Sequence, residues 1–287
     1  MSKSKNIIHQ VKETLSQKLR IGEQKHLAKQ QGGASDGIYS WGSYKTYLVK
    51  CCAFVKWAKD YYGCRTLADA RNYVNSYIKL HIDKRYSSYT QKTIANSLAK
   101  LYGCSTKDFI QTQPRLRTNI TRSRIGKAKA RFSESKNKEF VDFCRATGLR
   151  RHEIKYLKPE NFGFDESTRK NMLVNVKGKG GRLWDCPILS KEAIEKIQNT
   201  PAGQNVWSKV FANADVHSYR ADYCKAVYNL HASPIAKIPI KERYYCRGDL
   251  KGAVYDKRAM LIASKALGHN RISVIAANYL YDRGLQQ

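Results

Sequence analysis

The sequence predicts a mainly α protein with a small antiparallel β-sheet, the α+β class, on three observations. Over the first hundred residues, apolar side chains recur at helical spacing and stop at glycines or polar clusters. A Gly-rich turn near residue 180 separates two strand-like runs, and helical spacing resumes from about residue 191.

In order, the first half reads as helices over Lys5 to Gln30, ending at Gly32-Gly33; Trp41 to Tyr62, ending at Gly63; Leu67 to Asp83; and Tyr89 to Tyr102, ending at Gly103. In the second helix Tyr44, Tyr47, Leu48, Cys51, Val55, Ala58 and Tyr62 share one stripe, and Lys45, Lys50, Lys56 and Lys59 lie off it. Thr66 before Asp69 reads as a capping box, and Ser87 or Ser88 can cap the fourth helix, so four helices can bundle with a basic exterior. From Gln111 to Arg131 the chain is polar, basic and free of acids, either a linker lying on phosphates or a solvated tether. Helices follow at about Ser133 to Ala146 and Arg150 to Leu157. Strands at Asn171 to Lys177 and Arg182 to Ile188 form a hairpin with Lys179 at its tip. Further helices are expected near Lys191 to Ile197, His217 to Leu230, Asp256 to Leu267 and Ile272 to Tyr281, with a second hairpin between Lys241 and Tyr255.

The 287 residues carry 53 Lys plus Arg against 23 Asp plus Glu, a formal charge of +30. Self-repulsion of that size makes physical sense when a polyanion neutralises it, which points to nucleic acid. The longest apolar stretches, such as Cys51 to Val55, are too short to span a membrane, and MSKSKNIIHQ has no apolar signal region, so a cytoplasmic protein is expected. The eight cysteines (51, 52, 64, 104, 144, 186, 224 and 246) are then reduced thiols, with no C-x-x-C pair to suggest zinc. Neither a G-x-x-x-x-G-K-[ST] loop nor a G-x-G-x-x-G is present, which argues against a nucleotide-driven motor or a redox enzyme.

Breaking a phosphodiester without metal or nucleotide requires a nucleophile, fixed positive charge on the non-bridging oxygens, and an acid for the departing sugar oxygen. Two Arg, a His, a Lys and a Tyr suffice. Arg150 stands just past a helix-breaking Gly in ATGLRRHEI, with Glu153 three residues on to brace it. His217 and Arg220 share a helix face. That spacing is weak alone, because five of the seven His have Lys or Arg three places on, although only His217 has Arg. Lys179, in VKGKGGR, is either an exposed turn residue or one delivered into a DNA groove. His269 ends LGH, and Tyr279 follows ten residues later; as one of 19 tyrosines it also reads as core, and Tyr281 competes for its role.

Taken in order, TGLRxxE, GKG between strands, HxxR, LGH and a Tyr on a terminal helix resemble the tyrosine recombinase or phage integrase family. The resemblance covers Ser133 to Tyr281, and the first half is similar to that family's core-binding domain. It implies a helical, SAM-like core-binding, DNA-clamping bundle over residues 1–110, a basic linker over 111–131 and a tyrosine recombinase catalytic domain over 132–287. It also implies that Arg150 and Arg220 neutralise the scissile phosphate and that Lys179 is the acid for the leaving 5′ oxygen. By the same resemblance His217 assists proton transfer from the nucleophile, His269 hydrogen-bonds the phosphate, Tyr279 forms a 3′-phosphotyrosine, and Glu153 orients Arg150. Lys45, Arg115, Arg117, Arg122, Arg124, Lys127 and Lys129 are expected to contact DNA. No cofactor or metal is implied. The implied partners are double-stranded recombination sites, a homo-tetramer on synapsed DNA and an accessory directionality factor. The implied function is site-specific recombination, for integration or excision of a mobile element on the likeness of LGHNRISVIAANYL to that branch. A type IB topoisomerase-like nicking-closing enzyme and a catalytically silent architectural DNA-binding protein are the alternatives.

The sequence departs from the family pattern in three places. Tyr279 stands ten rather than nine residues after the last His, so one extra residue is expected before it. Arg220 and His269 are 49 residues apart, about twice the usual separation, and the excess coincides with the second hairpin, which either touches DNA or a neighbouring subunit or is a passive insertion. Eight residues follow Tyr279, so an exchanged tail that is short or replaced is expected, and because the bundle starts early no arm-binding domain is expected.

Overall fold

The computed structural model describes residues 6–23, 25–30, 32, 36–116, 132–178 and 181–280. Contacts divide the chain into two compact units, Met1–Arg115 and Leu116–Gln287, a boundary inside the basic segment.

The first unit has α1 (Ile7–Gln17), α2 (Lys25–Gln30), α3 (Trp41–Tyr62), α4 (Leu67–Arg71), α5 (Val74–Asp83) and α6 (Ser88–Tyr102), and all but α2 contribute to a core that includes Val11, Leu15, Phe54, Val55, Ile78, Ile94 and Leu98. Helix α3 follows the sequence reading: Ser40 caps its start, and Gly63 ends it at φ +68°. Thr66 and Asp69 form the capping box. Two expected helices are each broken in two. The Lys5 to Gln30 helix stops at Gln17, because Leu19 leaves it for a parallel bridge to Ile38, with Ile38 N donating to Lys18 O at 2.7 Å and Arg20 N to Ile38 O at 3.0 Å. Backbone groups committed to that bridge cannot continue a helical ladder, and Gly22 turns the chain at φ +92°. The Leu67 to Asp83 helix breaks at Asn72-Tyr73, where Tyr73 N bonds Ala70 O and the Tyr73 ring stacks on Tyr62 with centroids 3.8 Å apart.

In the second unit, α7 (Lys138–Thr147) and α8 (Arg151–Lys155) precede three antiparallel strands in the order β1 (Phe162–Asp165), β2 (Lys170–Lys177), β3 (Leu183–Pro187). The sequence reading lacked β1, a four-residue strand containing a glycine. Its turn is held by Asp165, whose carboxylate accepts from the Ser167 and Thr168 hydroxyls at 2.7 Å each, bonds that pull its pKa down to about 2. Then come α9 (Lys191–Gln198), α10 (Val216–His231), the expected second hairpin as β4 (Arg243–Tyr245) with β5 (Val254–Asp256), α11 (Lys257–Lys265) and α12 (Ile272–Ile275). The final helix differs from expectation: after Ile275 it widens into a π-turn, Ala276–Leu280. None of the eight cysteines is in a disulfide. No helix among the described residues is long and apolar enough to cross a membrane.

Gly148 and Gly203 both hold left-handed backbone, at φ +62° and +78°, but a Cβ on Gly148 would collide with the Tyr223 ring whereas one on Gly203 would meet nothing. Each Ala substitution therefore carries a conformational cost of about 1–2 kcal/mol, and Gly148→Ala adds overpacking of about 1–3 kcal/mol. Urea unfolding should show Gly148→Ala as clearly the more damaging. Equal losses would mean that Tyr223 yields freely.

Candidate active site

The site is built around the ends of two helices. Helix α7 stops at Gly148 in left-handed conformation, and α11 ends in a turn closed by Gly268 at φ +64°. Arg220, on α10 and 0% exposed, donates from Nη1 to Gly148 O and from Nη2 to Leu267 O, which ties the two chain ends together. A buried guanidinium without partners would cost several kcal/mol. Here the two carbonyls and the Glu153 carboxylate, 3.9 Å from Nη1 and itself buried, offset that cost.

Two residues past Gly148, Arg150 caps α8. Its backbone N–H donates to Glu153 Oε2 at 2.6 Å and its Nη1 to Oε1 at 2.7 Å, so one carboxylate fixes both the helix start and the guanidinium. The Arg150 side chain keeps 20% of its surface exposed. One residue past Gly268, His269 is held by its backbone, with N donating to Ser264 O at 2.8 Å and O accepting from Ser264 Oγ at 3.1 Å. Its Nε2 lies 3.3 Å from Arg150 Nη2 and 3.3 Å from Tyr279 Oη. Tyr279 Oη also accepts from Arg220 Nε at 3.3 Å.

The π-turn accounts for the tyrosine's register. Asn278 turns its amide back to donate to Val274 O at 3.1 Å, while the widened turn absorbs one residue and brings Tyr279 to Arg220 and His269.

Electrostatically the site is a neutral imidazole among cations. Burial, then Arg220 and Arg150, bring the His269 pKa down to about 4, with Glu153 opposing and Arg271 assisting. His217, in the first turn of α10, also has a lowered pKa, through desolvation and then Arg220 and Arg150, with Asp215 opposing.

Of the residues singled out from sequence, Arg150, Glu153, Arg220, His269 and Tyr279 are joined by direct contacts, and His217 interacts with both arginines. Lys45 is exposed on α3, and exposed Arg115 lies over the Tyr89 ring at 5.5 Å. Lys179, Arg117, Arg122, Arg124, Lys127, Lys129 and Tyr281 lie outside the described residues. Among the described residues no group of three or more His, Cys, Asp or Glu could hold a metal ion.

Sequence reading missed Trp184. This β3 residue, 7% exposed, lies under the Arg220 guanidinium at 5.6 Å, and a Cβ on Gly268 would come within 2.8 Å of its ring. Alternation along β3 points Trp184 and Cys186 inward, but nothing in the strand pattern ties either to Arg220.

No family model matches the sequence, and no curated protein matches it. Solved structures do match it nearly end to end. The Tn1549 transposon integrase in complex with transposon right end DNA shares 11% identity, with 96% of each chain covered and a TM-score of 0.44. XerH site-specific recombinase bound to a palindromic difH substrate shares 13%, covering 97% of this chain and 92% of its own, at a TM-score of 0.47. XerA recombinase shares 13%, with 95% of each chain covered and a TM-score of 0.32. Two of these are recombinases and one is an integrase. Similarity this distant leaves the chemistry to the site itself.

Because the folded His269 titrates near 4 rather than at 6.5, the unfolded chain binds the proton first as pH falls. Stability should therefore drop between about pH 6.5 and pH 4 and show no further loss from this group below that. His269→Gln should flatten this part of the curve in urea unfolding. An unchanged slope would place the effect on other groups.

Proposed function

We propose that this chain is a site-specific DNA recombinase of the tyrosine recombinase type, with Tyr279 as the nucleophile. The observation that carries the reading is the Tyr279 hydroxyl held between Arg220 Nε and His269 Nε2, beside Arg150 and its Glu153 brace. A phenol among two guanidiniums and an imidazole has what in-line attack on a phosphodiester needs: a nucleophile and preorganised charge for the non-bridging oxygens.

In this mechanism Arg150 and Arg220 grip the scissile phosphate. Arg220 is immobilised by carbonyls, and Arg150 is partly exposed and free to present N–H groups to solvent-borne substrate. Tyr279 Oη attacks phosphorus, the 5′ oxygen leaves with a proton from Lys179, and a 3′-phosphotyrosine conserves the bond energy, so rejoining needs no ATP. The charge of +30 supplies sequence-independent affinity for double-stranded DNA, to which Lys45, Arg115 and the basic segment around residues 117–129 contribute. The same reading carries a homo-tetramer on paired sites, aided by an accessory directionality factor, and integration or excision of a mobile element. It also carries a metal-independent reaction and residence in the cytoplasm with the DNA.

The test is an SDS-resistant protein–DNA adduct formed in EDTA on a duplex that the protein selects from a random pool. Tyr279→Phe should abolish the adduct with DNA affinity unchanged, and Tyr281→Phe should retain it. Arg220→Ala should slow its formation on the order of a thousandfold. Specific, salt-dependent binding without any adduct would replace this function with an architectural one, and relaxation of any supercoiled plasmid by a monomer would favour a nicking-closing enzyme.

A further inference from the structure

The hydrogen bonds of His269 constrain which group takes the tyrosine proton. Arg150 has N–H donors and no acceptor, so its Nη2 contact with His269 Nε2 requires the Nε2 lone pair and places the ring proton on Nδ1. Arg220 Nε, equally a donor only, points at Tyr279 Oη. The phenol oxygen thus accepts from Arg220, and the Nε2 lone pair, 3.3 Å away, lies within reach of its proton. One lone pair cannot serve Arg150 and Tyr279 fully at once. Resting on the recombinase reading above, we infer that His269 is the base that takes the Tyr279 proton, and that the scissile phosphate frees it for this by drawing the Arg150 guanidinium away from Nε2.

A phosphate oxygen is a far stronger acceptor for a guanidinium than a neutral imidazole, so Arg150 changes partner when DNA arrives. The charge balance runs the same way. Facing His269 are Arg150 with Glu153 from the start of α8, Arg220 on α10 with His217 beside it, and Arg271 and Tyr279 on its own segment; Arg182 bonds the side chain of the next residue, Asn270, at 2.8 Å. Without DNA, burial and then these cations keep the ring neutral, the state able to accept a proton. The phosphate then adds negative charge beside the imidazolium as it forms.

In the forward step the Oη–H bond breaks and its proton moves to Nε2. The Oη–P bond forms, the bond from phosphorus to the 5′ oxygen breaks, and that oxygen takes a proton from Lys179. In rejoining, the phenolate leaves phosphorus and recovers the proton from His269. The proton thus passes to His269 and not to His217, the residue that family resemblance would choose.

The experiment is single-turnover adduct formation from about pH 5 to pH 10 on the selected duplex, carrying a sulfur-bridged 5′ leaving group so that departure needs no acid. Wild type should already stand on its plateau over this range, because His269, with a pKa of about 4, is unprotonated throughout it. His269→Gln should be about a hundredfold slower at neutral pH and climb toward wild type as pH rises and hydroxide takes over from the missing base, while His217→Gln, slower at every pH, keeps the shape of the wild-type curve. A loss by the same factor at every pH in His269→Gln, or the climb in His217→Gln, overturns the assignment. A second measurement needs no variant: the ¹⁵N shift of wild-type His269 Nε2 at pH 7 should be that of an unprotonated nitrogen, and a proton there overturns it too. Absence of any adduct from wild type on the duplex it binds would instead overturn the recombinase reading, and this one with it.

Discussion

The second unit depends on an arginine with no solvent. Arg220 is wholly buried, and a charge in that position is tolerable only if the chain brings acceptors to it. Two of them are main-chain carbonyls at the ends of α7 and α11, which makes the guanidinium a clasp between segments far apart in sequence. Both helices must end in tight turns there, and each turn uses a left-handed glycine. Large side chains close over the same two turns, Tyr223 against Gly148 and Trp184 against Gly268, leaving no room for a Cβ. Arg150 and His269 then come together because each lies within two residues of one of the turn glycines.

Around that clasp the electrostatics favour an anion. Glu153 is the buried carboxylate among Arg150 and Arg220, and it binds both the side chain and the backbone of Arg150. Its single charge cannot neutralise two guanidiniums together with nearby Arg271, and burial first, then that surplus, keeps His269 unprotonated well below neutral pH. Positive charge is held in place by backbone carbonyls, which accept hydrogen bonds without cancelling it. A site prepared in this way has little reorganisation left to do when it meets an anion.

The part of the fold legible in the sequence was the part decided by neighbours in the chain. Helix α3 and its Gly63 stop, the Thr66–Asp69 capping box, the β2–β3 hairpin and the β4–β5 hairpin were all readable, because a cap, a positive φ or a tight turn involves residues a few positions apart. The errors came where distant groups intervene. The first helix is cut short by Ile38, well beyond its end, and the α4–α5 break coincides with the stacking of Tyr73 on Tyr62, a residue of another helix. Strand β1 is too short to show a period and exists because β2 offers it a register.

For the site, the sequence by itself determined which residue types were on hand and in what order: Arg150 after a glycine, His217 and Arg220 on one helical face, His269 after another glycine, a tyrosine beyond. It did not determine that Trp184 underlies Arg220, that the last helix widens to bring Tyr279 round, or that His269 meets the tyrosine hydroxyl. These were decided by the tertiary structure. Arg150 and His269 are 119 residues apart, and Arg220 and Tyr279 are 59 apart. A contact of 3.3 Å across such separations is set by how burying one charge forces two helix ends together, which residue spacing does not encode.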